Sequence, residues 1–197
     1  MSATDIATDI ATRFARLDRY IEEGKLLRGA WHDGPKGPDG YERACLLMAI
    51  APEVNGGDPS ADRCPAWLLP RWLAHLTPWL DDAGSDGAWP EQVRRYSRAV
   101  RLVPMLDEAA QNRLHYAVRA AILRCVLDHA GDSRPAVETV LALCERAARG
   151  EPVGEREWAR AWSAARSAAR AAWATAEAAR AAWATAEAAE EASEAAR

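Results

Sequence analysis

Residues 155–197 read EREWARAWSAARSAARAAWATAEAARAAWATAEAAEEASEAAR, a run with neither glycine nor proline. Alanine, the strongest helix former, dominates this run, so we predict one helix over its whole length. At ~1.5 Å of rise per residue the helix would extend roughly 60 Å, whereas a body of about 150 residues is about 40 Å across. We therefore assign residues 1–150 to a helical body and residues 151–197 to this Ala-rich helix. Unless the helix folds back, its distal part should project or pair with another chain.

The Ala-rich helix contains a perfect tandem repeat, ARAAWATAEA, at residues 169–178 and 179–188. At 100° per residue its tryptophans fall within one arc of about 80°, and arginines and glutamates lie three or four residues from them. This spacing allows Arg–Trp stacking and Glu–Arg pairing along one stripe. The predicted partner-binding residues are Trp158, Trp162, Arg170, Trp173, Glu177, Arg180 and Trp183.

Two interpretations of this stripe stay open. It is either a contact surface, for the body or for a partner, or a self-supporting helix whose indole rings lie beneath their own charged neighbours. Trp158 and Trp162 lack the ladder of charged neighbours, so we expect them to dock on the core. The partner of the distal part would be another protein or a second copy of the chain.

Helical periodicity also dominates the first 150 residues. Apolar residues at three- and four-residue spacing predict an amphipathic helix over residues 4–23. Residues 41–51, YERACLLMAIA, predict a short central helix that is buried all round. Residues 30–40 and 52–63 are rich in glycine and proline and are predicted loops.

The remaining body helices follow from proline positions and apolar stripes. Pro65, Pro70 and Pro78 are each expected to begin a short helix with a Trp-lined inner face. Trp89-Pro90 begins another helix, and residues 107–129 form one more. The stripe of the latter helix, expected to face the core, comprises Leu114, Val118, Ile122, Cys125 and Val126. These patterns predict an all-α protein of six to eight helices.

Composition excludes several classes of protein. The net charge of −4 argues against a nucleic-acid coat protein, and no run of ~18 apolar residues predicts a membrane helix. The four cysteines show no Cys-x-x-Cys spacing, and the N-terminus lacks a secretory signal pattern, so we expect a reducing cytoplasm. No motif predicts a cofactor, a bound metal or a catalytic residue.

One cluster nevertheless has residue types that catalysis could use. A histidine and several carboxylates near tryptophans could bind a metal ion or act as an acid–base pair in a cleft. The simpler interpretation is turn chemistry, in which Asp before Gly bends the chain and two aspartates end a helix. The possible ligand-cleft residues are Trp31, His32, Asp33, Trp72, Trp79, Asp81 and Asp82.

Two further features have a functional and a structural interpretation. Arg94, Arg98 and Arg101 share one helix face and could contact phosphates, although a solvated face is the simpler explanation. Cys64 precedes the helix expected at Pro65, where a thiol pKa can fall, but no nucleophile motif surrounds it.

The sequence from Asp132 onward, DSRPAVETVLALCERAARGEP followed by REWARAWSAARSAARAAW, resembles a family of Ala-rich immunity proteins of bacterial toxin systems. The resemblance covers the last third of the chain and implies a cytoplasmic helical protein that neutralises a toxin by binding it. Residues 41–90 resemble uncharacterised proteins of GC-rich bacteria, which implies no activity. The leading hypothesis is a non-catalytic protein-binding module, with an enzyme using the Trp-lined cleft and a nucleic-acid binder using the Arg-rich helix as alternatives.

Overall fold

A computed structural model describes residues 2–37, 40–55, 58–83 and 85–195 of the chain. The predicted all-α class is confirmed, because this part of the chain contains seven α-helices and one two-stranded antiparallel sheet. The elements are α1 (Ala3–Glu22), β1 (His32–Gly37), β2 (Gly40–Ala44), α2 (Leu46–Ile50), α3 (Arg71–Asp82), α4 (Trp89–Val100), α5 (Glu108–Leu127), α6 (Arg134–Ala148) and α7 (Glu155–Ala195). None of these helices is both long enough and apolar enough to cross a membrane.

The chain divides into two compact units, residues 1–111 and residues 112–197. The first unit contains α1 to α4 with the hairpin, and the second contains most of α5 together with α6 and α7. The boundary expected at residue 150 falls within the second unit, in the turn between α6 and α7.

The centre of the first unit is α2, whose five residues are all buried as predicted. A helix this short is not stable alone, so its ends need partners from elsewhere in the fold. At its C-terminal end, Arg16 donates hydrogen bonds to the carbonyl oxygens of Ala49 and Ile50, at 2.7 and 2.9 Å. Arginine near the last carbonyls also compensates the negative end of the helix dipole. The neighbouring Arg13 is 9% exposed and forms an ion pair with Glu53.

Two local predictions in this unit are wrong, because residues 30–40 are not all loop and residues 41–44 are not helical. Residues 32–37 form β1 and residues 40–44 form β2, and His32 lies opposite Ala44 in this pair. The pairing shifts register between Asp33 and Lys36, and Gly34 lies in that interval with a φ of +76°. A Cβ at Gly34 would lie 2.7 Å from a side-chain oxygen of Glu42, so this bulge depends on glycine.

A third correction concerns Pro78, which does not begin a helix but lies inside α3. The helix continues through it because its buried face spans the proline on both sides. Leu73 and Thr77 precede Pro78 on that face, and Asp81 follows it.

The second unit is built where α5, α6 and α7 pack together. Its core consists of small and medium side chains: Ala120, Val140, Leu143, Cys144 and Ala161. The predicted C-terminal helix is continuous from Glu155 to Ala195, and its first three turns supply Trp158, Ala161 and Ala165 to this packing. Alanine at the contact allows the helix backbones to approach closely, which leaves the larger apolar residues at the periphery.

Candidate functional site

Asp81, one of the predicted cleft residues, is a buried carboxylate that joins three helices. Its side chain is 1% exposed and accepts two hydrogen bonds, from the backbone N–H of Leu46 at 3.0 Å and from Nε1 of Trp89 at 3.1 Å. Burial raises its pKa from 3.8 to about 6, although both hydrogen bonds oppose that change. Since each oxygen is bound by a structural donor, Asp81 connects α3 to the start of α2 and to α4.

Asp82 has a comparable structural role at the end of α3. Its Oδ1 accepts a hydrogen bond from the backbone N–H of Gly29 at 2.7 Å. Arg28 donates to the carbonyl oxygens of Asp81 and Asp82, at 3.2 and 2.8 Å, and forms an ion pair with Asp86. A cation at the C-terminal end of a helix satisfies carbonyls that have no helical donor. Arg28 was not among the predicted residues, because its position beside Gly29 gives no signal of this role.

His32 and Asp33 lie on β1, where Asp33 belongs to the hairpin bulge. Its Oδ1 accepts a hydrogen bond from the backbone N–H of Gly34 at 2.8 Å, and its Oδ2 lies 3.9 Å from Arg43. The turn-chemistry interpretation of the Asp-Gly pair therefore describes this contact. In the described ranges, no group of three or more His, Cys, Asp and Glu side chains is arranged to hold a metal ion.

A small cavity brings together only three of the predicted cleft residues. It has a volume of about 110 Å³ and is lined by Gly29, Ala30, Trp31, Cys45, Pro78, Asp81 and Asp82. Burial raises the pKa of the Cys45 thiol to about 11, which removes thiolate character at neutral pH. Both oxygens of Asp81 and the Oδ1 of Asp82 already accept hydrogen bonds from backbone or indole donors.

The expected Trp-lined inner face of α3 does not form. Trp79 is 77% exposed and Trp72 is half-buried, whereas Thr77 is fully buried. The hydroxyl of Thr77 donates to the carbonyl oxygen of Leu73 at 2.8 Å and lies 2.6 Å from the hydroxyl of Tyr96. The polar residues turn inward because their partners lie there, which hydropathy alone does not indicate.

A larger cavity, of about 720 Å³, lies beside α4. It is lined by Leu46, Leu80, Ala88, Glu91, Gln92, Arg95, Tyr96 and Ala99. Its polar side chains are bound within the protein: Arg95 pairs with Glu91 at 2.9 Å, and Gln92 donates to the carbonyl oxygen of Leu80. The cavity is therefore an apolar recess without a reactive group directed into it.

Two carboxylates compensate part of the charge of the Arg-rich face of α4. Glu91 lies 3.2, 2.9 and 3.7 Å from Arg94, Arg95 and Arg98 respectively. Arg101 pairs with Asp18 of α1 at 2.7 Å. Four arginines share these two carboxylates, so net positive charge remains on this face and neither interpretation is decided.

The tryptophans of the predicted partner-binding stripe become more exposed along α7 from its N-terminal end. The indole of Trp158 stacks on Tyr116 of α5 with ring centroids 5.3 Å apart, so this tryptophan docks on the core as expected. Trp162 is docked less deeply, because it remains 39% exposed beneath the guanidinium of Arg119. Trp173 is 67% exposed.

The polar members of the stripe extend beyond the docked part of α7. Arg170 and Glu177 are exposed and lie three residues before and four residues after Trp173. The side chains of Arg180 and Trp183 lie outside the described residues. The described part of the stripe thus ends in a solvent-facing tryptophan between two oppositely charged residues.

The stripe of α5 that was expected to face the core is half-buried at Leu114 and Val118 and exposed at Ile122, Cys125 and Val126. Ile122 is 45% exposed and Val126 is 43% exposed, while Ala120 and Leu123 of the same helix contact the core. The sequence shows that both faces are apolar. It does not show that the face with alanine would be chosen for close packing.

No family model, curated protein or solved structure significantly matches this chain. The resemblance to Ala-rich immunity proteins therefore stays a prediction, and the site geometry is the basis for proposing a function.

Proposed function

We propose that this protein is a non-catalytic protein-binding module whose contact surface lies on the exposed part of α7. The observation that carries the proposal is Trp173, a large aromatic side chain that is 67% exposed on a regular helix. Exposed tryptophan is uncommon on soluble proteins and is enriched among the residues that dominate binding energy. Arg170 and Glu177 on either side supply polar groups for the rim of such an interface.

The chemistry of the cleft residues favours binding over catalysis. The buried Asp81 and the exposed Asp82 are both committed to hydrogen bonds that hold helix ends together. An acid–base mechanism needs a group that can reach a substrate proton, and both oxygens of the buried Asp81 already accept structural hydrogen bonds.

The form of binding suggested by the family resemblance is neutralisation of a toxin in the cytoplasm. All four cysteines are free thiols, and Cys125 is exposed, which suits a reducing compartment. In such a system the protein would cover the toxin's functional surface and need no active site of its own.

The test compares two highly exposed tryptophans. Trp173→Ala removes the proposed anchor, whereas Trp79→Ala removes a side chain that is 77% exposed in the other unit. Wild type and both variants, each checked for helicity by circular dichroism, are used to capture proteins from the native host. We expect that wild type and Trp79→Ala capture the same host protein in similar amounts. Trp173→Ala should capture about tenfold less of it.

A captured toxin would then be co-expressed with each variant, with cell growth as the readout. Wild type and Trp79→Ala should protect the cell, and Trp173→Ala should not. Equal capture by all three proteins would contradict the proposed surface.

A further inference from the structure

Helix α7 meets α5 near Trp158 and Trp162. Trp158 stacks on Tyr116, and one turn further along both helices Arg119 covers the ring of Trp162. Because these two contacts advance together, α5 and α7 have the same direction where they meet. This seam is internal to the second unit.

The two helices present apolar anchors along this seam. On α5, Ile122 and Val126 follow Arg119 by three and seven residues and therefore share its side of the helix. On α7, Trp162 and Trp173 are eleven residues apart, or about 20° around the helix axis. We call Ile122, Val126, Trp162 and Trp173 the α5–α7 face. All four are at least 39% exposed.

The edge of the α5–α7 face is basic. Arg166 lies four residues after Trp162, Arg170 lies three residues before Trp173, and Arg119 borders the seam on α5. Within the part of the chain that the structure describes, none of these three arginines forms an ion pair. Other arginines of this unit do form ion pairs, as Arg124 does with Glu145 at 2.6 Å. One described acid, Glu177, follows beyond Trp173.

Taking the proposed protein-binding function as its starting point, we propose that the α5–α7 face docks an acidic amphipathic helix of a protein partner. An amphipathic helix binds an exposed apolar surface through side chains at three- and four-residue spacing. Carboxylates beside those anchors would pair with Arg119, Arg166 and Arg170. A second copy of this face would bring like charges together, and a nucleic acid would leave Ile122 and Val126 without apolar contacts.

The test uses two synthetic helical peptides of about 20 residues with the same Leu/Ile face. One peptide has glutamates beside that face and the other has lysines. Binding of each labelled peptide to the full chain is followed by fluorescence anisotropy. We expect the glutamate peptide to bind at least about tenfold more tightly at low salt, with the difference shrinking as salt is added.

Variants separate the contribution of the arginines to peptide binding from that of the apolar side chains. Arg166→Glu with Arg170→Glu should reverse the peptide preference, and Ile122→Ser with Val126→Ser should weaken binding of the glutamate peptide by about tenfold. The matched control is Leu102→Ser with Met105→Ser, which alters exposed apolar residues of the first unit and should leave binding unchanged.

Three outcomes would overturn this inference: equal binding of both peptides, no effect of charge reversal, or self-association abolished by Ile122→Ser. These outcomes are independent of the capture experiment. If Trp173→Ala loses a partner but the peptides show no charge preference, the protein-binding function stands and the acidic helix does not. If the glutamate peptide binds as expected but no partner depends on Trp173, the proposed function is contradicted. The preference of the α5–α7 face for an acidic helix would still stand.

Discussion

Replacing Asp81 by asparagine should change how the stability of the first unit depends on pH. Asp81 ionises near pH 3.8 in the unfolded chain, but its pKa is about 6 in the folded protein, where it is 1% exposed. At about 1.4 kcal/mol per pKa unit this difference corresponds to roughly 3 kcal/mol. Since the folded pKa is the higher of the two, the folded state binds more protons between these values. The contribution of Asp81 to the free energy of unfolding therefore decreases as pH rises from about 4 to about 6.

The asparagine side chain keeps the shape of aspartate but cannot ionise. Its single carbonyl oxygen can accept from Leu46 or Trp89, so one hydrogen bond is lost at a cost of about 1–3 kcal/mol. At neutral pH this loss is offset by removal of the buried charge, and the two proteins should have similar stability. Near pH 4 no buried charge remains to be removed, so the variant should be the less stable protein by about 1–3 kcal/mol.

The assay is urea unfolding of both proteins, followed by circular dichroism from about pH 4 to pH 7.5. We expect the free energy of unfolding of the variant, minus that of wild type, to rise by roughly 3 kcal/mol across this range. Asp33→Asn is the matched control, because it makes the same substitution at a carboxylate that lies exposed on the hairpin. Carbon-13 NMR of the Asp81 carboxyl tests the cause directly. A difference that is flat or falls with pH, or a folded pKa at or below about 4, would refute the reasoning.

Three further predictions concern packing, backbone and thiol chemistry. Trp158→Ala should lower the free energy of unfolding by about 3 kcal/mol in urea titrations, whereas Trp173→Ala should change it by less than about 0.5 kcal/mol, because only Trp158 packs on the core. Gly34→Ala should destabilise the hairpin more than Gly29→Ala in thermal melts, because both glycines have positive φ but only Gly34 faces a side chain below 3 Å. Cys125, the exposed thiol, should react with maleimide first at pH 7, and mass spectrometry of early time points would contradict this if another cysteine were labelled sooner.

The helices could be predicted from the sequence because their signals are local. The absence of glycine and proline from residue 155 onward predicts α7, and three- and four-residue spacing predicts α1. The hairpin could not be predicted, because its pairing depends on a bulge at Gly34 and on bonds from Ala44 to the backbone of Lys25 and Leu27. Those partners are distant in sequence from the glycine-rich segment that was predicted to be a loop.

The candidate cleft shows why residue type alone does not identify a site. Asp81 and Asp82 have the chemistry of metal ligands, but each is used as an acceptor for a backbone N–H of another element. Such donors have no signature in the sequence, because every residue other than proline has one. Only the fold shows that the amides of Leu46 and Gly29 come within reach of these carboxylates.

The α5 stripe shows a related limit on periodicity. Spacing shows that α5 has two apolar faces, one with Ala120 and Leu123 and one with Ile122 and Val126. Burial of the larger side chains would remove more apolar surface from water, which favours the second face. The structure buries the first face, and Ala120 lies in one core cluster with Cys144 of α6 and Ala161 of α7. The choice between the two faces of α5 therefore depends on α6 and α7, which are distant from it in the sequence and supply the rest of this core.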